Sequence, residues 1–337
     1  GTISTVENSV VLGLTPYPSY SGAANSYNSG VDSFENVYTD QDLPTVATYA
    51  DTDIKKVALD DIKGTAAQTN MPGLDWTNTW TAVDGDYPKL KLFYEEPAVD
   101  DGGDSGDNEE ETLNIVYWDG TKTAPDETNV DSDGNIIITT AAELNYIATT
   151  ASSGKSYKIA DGIDVMILQP ESSVDAETLM GLTDYNAVKT YLTETITPTP
   201  WLSAANTNDP AKVICNFDGN GVRIYGLYAV NSNSAGLFPG IDGDSVFQNF
   251  ALRNSYIESA RRIGVLGAYC AGSTVGTVSA KCVEISNCYI TDSSTTETNF
   301  NEMGVLFGRT TKDYVKVENC LIYDNYSYAE GLNKVIP

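Results

Sequence analysis

The sequence predicts an all-β chain wound as a parallel β-helix, and three observations predict it. Five short segments repeat the form apolar-x-Asn-x-x-(apolar or Thr). A glycine-flanked element precedes three of them. The intervals between carry no helical periodicity, so short apolar strands recur at about thirty residues, the mark of a solenoid with a short helical cap and an inserted loop and helix region.

The Asn-centred segments are Val6-Glu-Asn8-Ser-Val-Val11, Phe34-Glu-Asn36-Val-Tyr-Thr39, Phe247-Gln-Asn249-Phe-Ala-Leu252, Ile285-Ser-Asn287-Cys-Tyr-Ile290 and Val317-Glu-Asn319-Cys-Leu-Ile322. Within each half of the chain, successive Asn residues lie 38, 32 and 28 positions apart. Asparagine suits a corner because it tolerates left-handed backbone angles and its amide can bond the same residue one layer on. One layer cannot bury its inner face alone, whereas layers stacked about 4.8 Å apart bury a continuous column. Beyond the corner, side chains alternate. Cys288 and Ile290 are expected inward with Tyr289 outward; Cys320 and Ile322 inward with Leu321 outward; Ser9 and Val11 in the same columns. Asn8, Asn36, Asn249, Asn287, Asn319, Cys288 and Cys320 thus form one predicted structural ladder. The two cysteines read as small buried hydrophobes, and a disulfide between them requires neighbouring layers.

The glycine-flanked elements are Gly236-Leu-Phe238, Gly264-Val-Leu-Gly267 and Gly304-Val-Leu-Phe-Gly308, which complete a unit of strand, variable turn and second strand.

Composition excludes several functions. With 47 acids against 19 bases the net charge is −28, which repels phosphate backbones, so nucleic acid and anionic membranes are not expected partners. No apolar run reaches membrane-spanning length, so no membrane insertion is expected. Histidine is absent, which removes Ser-His-Asp triads and His-containing zinc sites. The five cysteines form no CxxC pair.

The stretch 95–112 (EEPAVDDGGDSGDNEEET) carries nine acids and no base and reads as a linker. It separates 1–94, read as two terminal layers, a helix near 58–68 and a closing segment, from 113–337, read as a start and middle with an insertion at 169–210 and a helix at 174–192. Solenoid ends need covering. Residues 1–94 are therefore expected to stack on the end near Cys320 and Pro337, in the same molecule or head-to-tail on a neighbour.

Particular residues also carry a family resemblance. Phe217-Asp-Gly-Asn-Gly-Val-Arg-Ile224, Ala235-Gly-Leu-Phe238 and Asn249-Phe-Ala-Leu252 resemble the opening of GLUG-motif β-helix proteins. Trp118-Asp-Gly-Thr121, Ile138-Thr-Thr-Ala-Ala-Glu-Leu144 and Tyr157-Lys-Ile-Ala-Asp-Gly-Ile-Asp164 resemble the segments that lead into one. Met71-Pro-Gly-Leu-Asp-Trp-Thr-Asn-Thr-Trp80 and Tyr87-Pro-Lys-Leu90 resemble the closing segment. The resemblance implies a right-handed, pectate-lyase-like superhelix and a bacterial, secreted or cell-surface, adhesin-like role without catalysis. Val222 stands where such proteins usually carry His after the Asp-Gly-Asn-Gly turn.

Candidate chemistry is sparse. Tyr256, Tyr289 and Tyr323 are expected outward, where an aromatic strip would stack on sugar rings; ordinary packing on a strand face is the plainer reading. Tyr17, Tyr20, Tyr326 and Tyr328 fall in loops. A carbohydrate-active enzyme on the same scaffold would need clustered carboxylates. Asp60-Asp61 and Asp100-Asp101 are the obvious candidate pairs, and Arg261-Arg262 is an adjacent basic pair. Asp131-Ser-Asp-Gly-Asn135 resembles part of a calcium loop, but Ile136 stands where an EF-hand needs Gly, so a hairpin turn is expected instead. No cofactor is expected, calcium being the one candidate ion. Partners are expected to be a glycan or a host protein.

Overall fold

The computed structural model describes residues 4–13, 31–40, 54–94, 112–150, 152–201, 210–270, 276–293, 302–310 and 314–328. The acidic stretch 95–111 with Asp100-Asp101, and the loop tyrosines Tyr17 and Tyr20, lie outside the described residues.

Strands dominate, helices are few and short, and nearly every pairing is parallel. In one ladder the paired order is Ile136–Ile138, Ser152–Ile159, Val213–Asp218, Ser245–Arg253, Thr277–Ser286, Tyr314–Glu318, Ser4–Glu7 and Val31–Glu35. Beside it run Ile115–Tyr117, Val165–Ile167, Arg223–Tyr225, the second halves of the two long strands, Leu321–Tyr323, Val10–Leu12, Val37–Thr39 and Ile54–Lys56. Each row is one repeat further along the chain, except that the N-terminal strands follow the C-terminal ones: Val6 pairs with Val317 and Val11 with Ile322. Smaller parallel sheets continue some of the rows. One holds Tyr228–Asn231, Tyr256–Ser259, Tyr289–Asp292 and Tyr326–Tyr328; another holds Ser234–Ala235, Arg262–Gly264 and Glu302–Gly304.

Two files of left-handed residues mark the corners. The first runs through Asn249, Cys282, Asn319, Asn8 and Asn36, at φ between 48° and 59°. The second runs through Gly226, Asn254, Asn287, Asp324 and Gly13, all at positive φ. Five asparagines were expected in one file; Asn287 instead belongs to the second. The register spacing is 33 then 37 (249, 282, 319, and likewise 254, 287, 324), not 38 then 32. The first-file corner in that row is Cys282, at φ 51°. A β-carbon makes this conformation costly, by about 1–2 kcal/mol, so cysteine gives no signal for it. Asn36 Nδ2 donates to Asn8 Oδ1 at 3.0 Å, the amide bond from row to row that the repeat predicts.

The same shift separates Cys288 from Cys320. Cys320 N donates to Ser9 Oγ at 3.1 Å, whereas Cys288 N donates to Asn325 Oδ1 at 2.9 Å. The two sulfurs occupy different columns, and none of the five cysteines is in a disulfide. The predicted alternation holds locally: Cys288, Ile290, Cys320, Ile322 and Val11 belong to the interior, while Tyr289 and Leu321 belong to clusters on the outside. Burial pushes the thiols of Cys215, Cys288 and Cys320 up to about 12. At pH 8 their alkylation by iodoacetamide should be on the order of a thousandfold slower than that of a free thiol, since only the thiolate reacts. Mass spectrometry should find the native protein labelled at Cys282 at most, and all five sites labelled in denaturant; rapid native labelling of Cys320 would contradict the inward column.

The interior holds Phe217, Phe238, Phe247 and Phe250, with ring centroids 4.6–5.8 Å apart in tilted and edge-on pairs. The helix Ala141–Thr149 packs against it through Ala141, Leu144, Ile147 and Ala148. It starts at a capping box in which Thr140 and Glu143 bond each other's backbone N–H groups.

The predicted helices are shorter than expected. Residues 58–68 yield a 3₁₀ turn, Leu59–Ile62, and a helix, Ala66–Asn70, separated at Gly64 (φ 58°). Residues 174–192 break into Ala176–Gly181 and Tyr185–Thr190, because Asp175 and Asp184 each cap a new N-terminus, and the second continues as a π-helical turn, Tyr191–Thr195. The closing segment does more than cover the terminal row. Residues 57–93 lie along the flank, burying Val10, Leu12, Tyr38, Leu321 and Ala251, which span several rows.

Candidate functional site

The tyrosine-bearing flank carries a continuous aromatic stack. Beyond the second corner file, Tyr228, Tyr256, Tyr289 and Tyr326 are register partners. Their rings stack at centroid distances of 5.5, 5.7 and 4.6 Å, with interplanar angles of 19°, 8° and 24°. Parallel strands place like residues about 4.8 Å apart, which is the spacing that offset stacking needs.

This is not the strip that the sequence suggests, in two respects. Tyr323 is not part of it. It precedes corner residue Asp324, pairs in register with Ser286 and Leu12, donates from its hydroxyl to Glu284 at 3.2 Å and meets Tyr87 edge-on. Tyr326, expected in a loop, takes its place, because Asn287 aligns with Asp324 and so Tyr289 with Tyr326. Nor is the strip open. Leu179, Val188, Tyr191 and Leu192 from the insertion pack against it, leaving Tyr256 and Tyr289 buried. Tyr185 stacks on Tyr326 at 5.2 Å, and Lys189 Nζ lies 5.1 Å over the Tyr289 ring.

Corner asparagines hold that cover in place. Asn254 Nδ2 donates to the carbonyls of Leu179 and Leu182 at 2.7 and 3.0 Å, and Asn287 Nδ2 reaches Leu182 O at 3.5 Å. Neither asparagine's second role was legible, since a residue 75 or 105 positions away leaves no local signal. The Tyr256 hydroxyl donates to Glu258 at 2.6 Å. Burial, then that carboxylate, pushes its pKa far above the tyrosine range.

On the other side of the corner file lies a buried ion pair. Arg253 Nε donates to Glu284 Oε1 at 2.6 Å, and Arg253 Nη1 to the Tyr225 hydroxyl at 3.2 Å. Glu284 is fully buried, and its Oε2 has no partner.

The remaining candidates are engaged in structure. Asp131 accepts from the N–H groups of Asp133 and Asn135 and from Asn135 Nδ2. The Asn135 side chain foremost lowers its pKa. Gly134 (φ 83°) turns the chain into the antiparallel Val130–Ile136 bridge, the hairpin reading. Asp60 and Asp61 lie in the first turn of the 3₁₀ helix. Arg262 is buried and paired with Glu302. Among the described residues, no group of three or more Cys, Asp or Glu side chains is placed to hold a metal ion, and no helix is long and apolar enough to cross a membrane.

Comparison of the chain with family models, with curated proteins and with solved structures returns no match.

Proposed function

We propose that this chain is a right-handed parallel β-helix serving as a non-catalytic, adhesin-like module of a secreted or bacterial cell-surface protein, related to GLUG-motif proteins. It would act as a rigid spacer whose exposed faces bind a glycan or a host protein. The observation that carries this reading is the row-on-row pairing from Ile115 to Lys56, which continues from the C-terminal strands into the N-terminal ones. Stacked parallel rows resist bending and suit a spacer. The residues that would signal chemistry are occupied in holding the stack: asparagines at corners, cysteines in the interior, Asp131 in its own turn, Arg262 on Glu302. Among the described residues the last row, Ile54–Lys56, carries exposed Lys55 and Lys56, charges that disfavour another chain adding there. Lateral partners are therefore favoured over end-on ones.

Glycan-array and cell-surface binding of the purified protein tests the reading. Binding without release of reducing or unsaturated ends is expected. Tyr289→Ala should lower the melting temperature yet leave that binding intact, because the stacked tyrosines are covered. Product release would replace the adhesive reading with a carbohydrate-active enzyme, and failure to bind any glycan or surface protein would end it.

A further inference from the structure

In a chain with 19 basic and 47 acidic side chains, four bases gather on a different flank. Gly240, Tyr269 and Arg309 are register partners on the strands Phe238–Ile241, Gly267–Cys270 and Phe307–Thr310. Around the Tyr269 ring centroid lie the Arg262 guanidinium at 3.9 Å, Lys212 Nζ at 5.3 Å and the Arg309 guanidinium at 5.7 Å. Gly240 permits this approach. A β-carbon there would meet Ala211 O at 2.6 Å and Lys212 Cγ at 3.2 Å.

Glu302 lies among them, 3.3 Å from Arg262 Nε and 2.9 Å from Arg309 Nη1. Burial first, then the charges of Arg261 and Arg309, hold the Arg262 guanidinium below its ordinary value. The members differ in exposure. Arg262 is buried and fixes the ring from within. Arg309 has 32% of its side chain exposed, and both of its contacts to Glu302 use Nη1. A guanidinium carries five N–H donors, so Nε and Nη2 can serve a further acceptor.

We propose that Lys212, Tyr269 and Arg309, backed by Arg262 and Glu302, form a binding site for an anionic sugar. The fork of Arg309 and the Lys212 ammonium take a carboxylate or sulfate group, and the partly exposed Tyr269 ring packs against the sugar. The idea rests on the glycan-binding reading above and narrows it to a charged class. Arginine matches planar and tetrahedral oxyanions with paired hydrogen bonds. The net charge of −28 does not forbid this, since at physiological salt charges beyond about 8 Å are largely screened and the local cluster sets the field at contact.

The test is binding of the purified protein to immobilised polygalacturonate, which is carboxylated, and heparin, which is sulfated, with dextran as the neutral control, at about 50 and 300 mM salt. One or both charged polymers should bind, at least about tenfold more weakly at the higher salt, and the two arms identify the group preferred. Arg309→Ala should weaken binding at least about tenfold; Arg309→Lys should recover only part of it. Lys212→Ala, outside the Glu302 pairing, should also weaken binding in a protein that still unfolds cooperatively. No binding to either polymer, or binding that neither variant alters, overturns the site. If the charged polymers fail while the array still finds a neutral ligand, this site falls and the adhesive reading stands.

Discussion

Arg253→Leu should destabilise the protein by about 3–5 kcal/mol, the usual cost of leaving a buried charge without its partner. Glu284 is fully buried and depends on three donors to one oxygen: Arg253 at 2.6 Å, the Tyr323 hydroxyl at 3.2 Å and Ser286 Oγ at 3.4 Å. Its other oxygen already lacks a partner, so no spare hydrogen bond can absorb the loss. It stands in an outward column between Ala251 and Leu321, both covered by 57–93, so water cannot take the place of the guanidinium without lifting that cover. Arg253→Leu combined with Glu284→Leu removes both charges and should recover at least half of the loss. Urea unfolding of the wild type, the two single variants and the pair measures this directly. A cost below about 1 kcal/mol for Arg253→Leu, or a pair no better than the single variant, would show that the carboxylate does not depend on the guanidinium.

Gly264→Ala should be at least as damaging. An added β-carbon would sit 2.3 Å from Gly267 O and 2.5 Å from Gly308 N, backbone atoms of its own row and the next. Gly236, its neighbour on the other side, faces the same obstacle, with Gly264 O at 2.0 Å. Because the obstructing atoms are main chain, they can yield only if rows separate, and a loss of about 3 kcal/mol or more is expected. The damage should also be local. In a stack each row contacts chiefly its neighbours, so hydrogen exchange should quicken in 262–310 while strands at 136–167 keep their protection. Gly181→Ala, where nothing lies within 4 Å, serves as the neutral control. Uniform loss of protection would mean that the stack unfolds as one unit.

The strand pattern was readable because two physical signals coincide in it: apolar alternation and asparagine at the left-handed corner. Where another residue takes the corner, the reading slips. Cys282 and Asp324 carry positive φ without being recognisable as corners, and the error passed to Asn287, Cys288 and Tyr323 together, since register moves as a block. The glycine-flanked elements were found as a pattern; the backbone crowding that requires those glycines appears only in three dimensions. The helix Ala141–Thr149 had a local signal, Thr140-Ala-Ala-Glu143, that was passed over. The Tyr269 cluster had only a partial signal, the Arg261-Arg262 pair, because Lys212, Arg262 and Arg309 come from three rows far apart in sequence.

The hydrogen bond from Cys320 to Ser9 joins residues 311 positions apart. Synthesis proceeds from the N-terminus, so 4–12 leaves the ribosome long before its partner strand at 314–323 exists. Until then those residues have only the neighbouring strands at 31–39 as native partners, and the loop that must eventually close spans 311 positions. Maturation of this protein should accordingly end with its beginning: a late docking step, slow compared with the zippering of the middle rows, which a circular permutant starting near 112 would abolish by placing the early strands last in order of emergence.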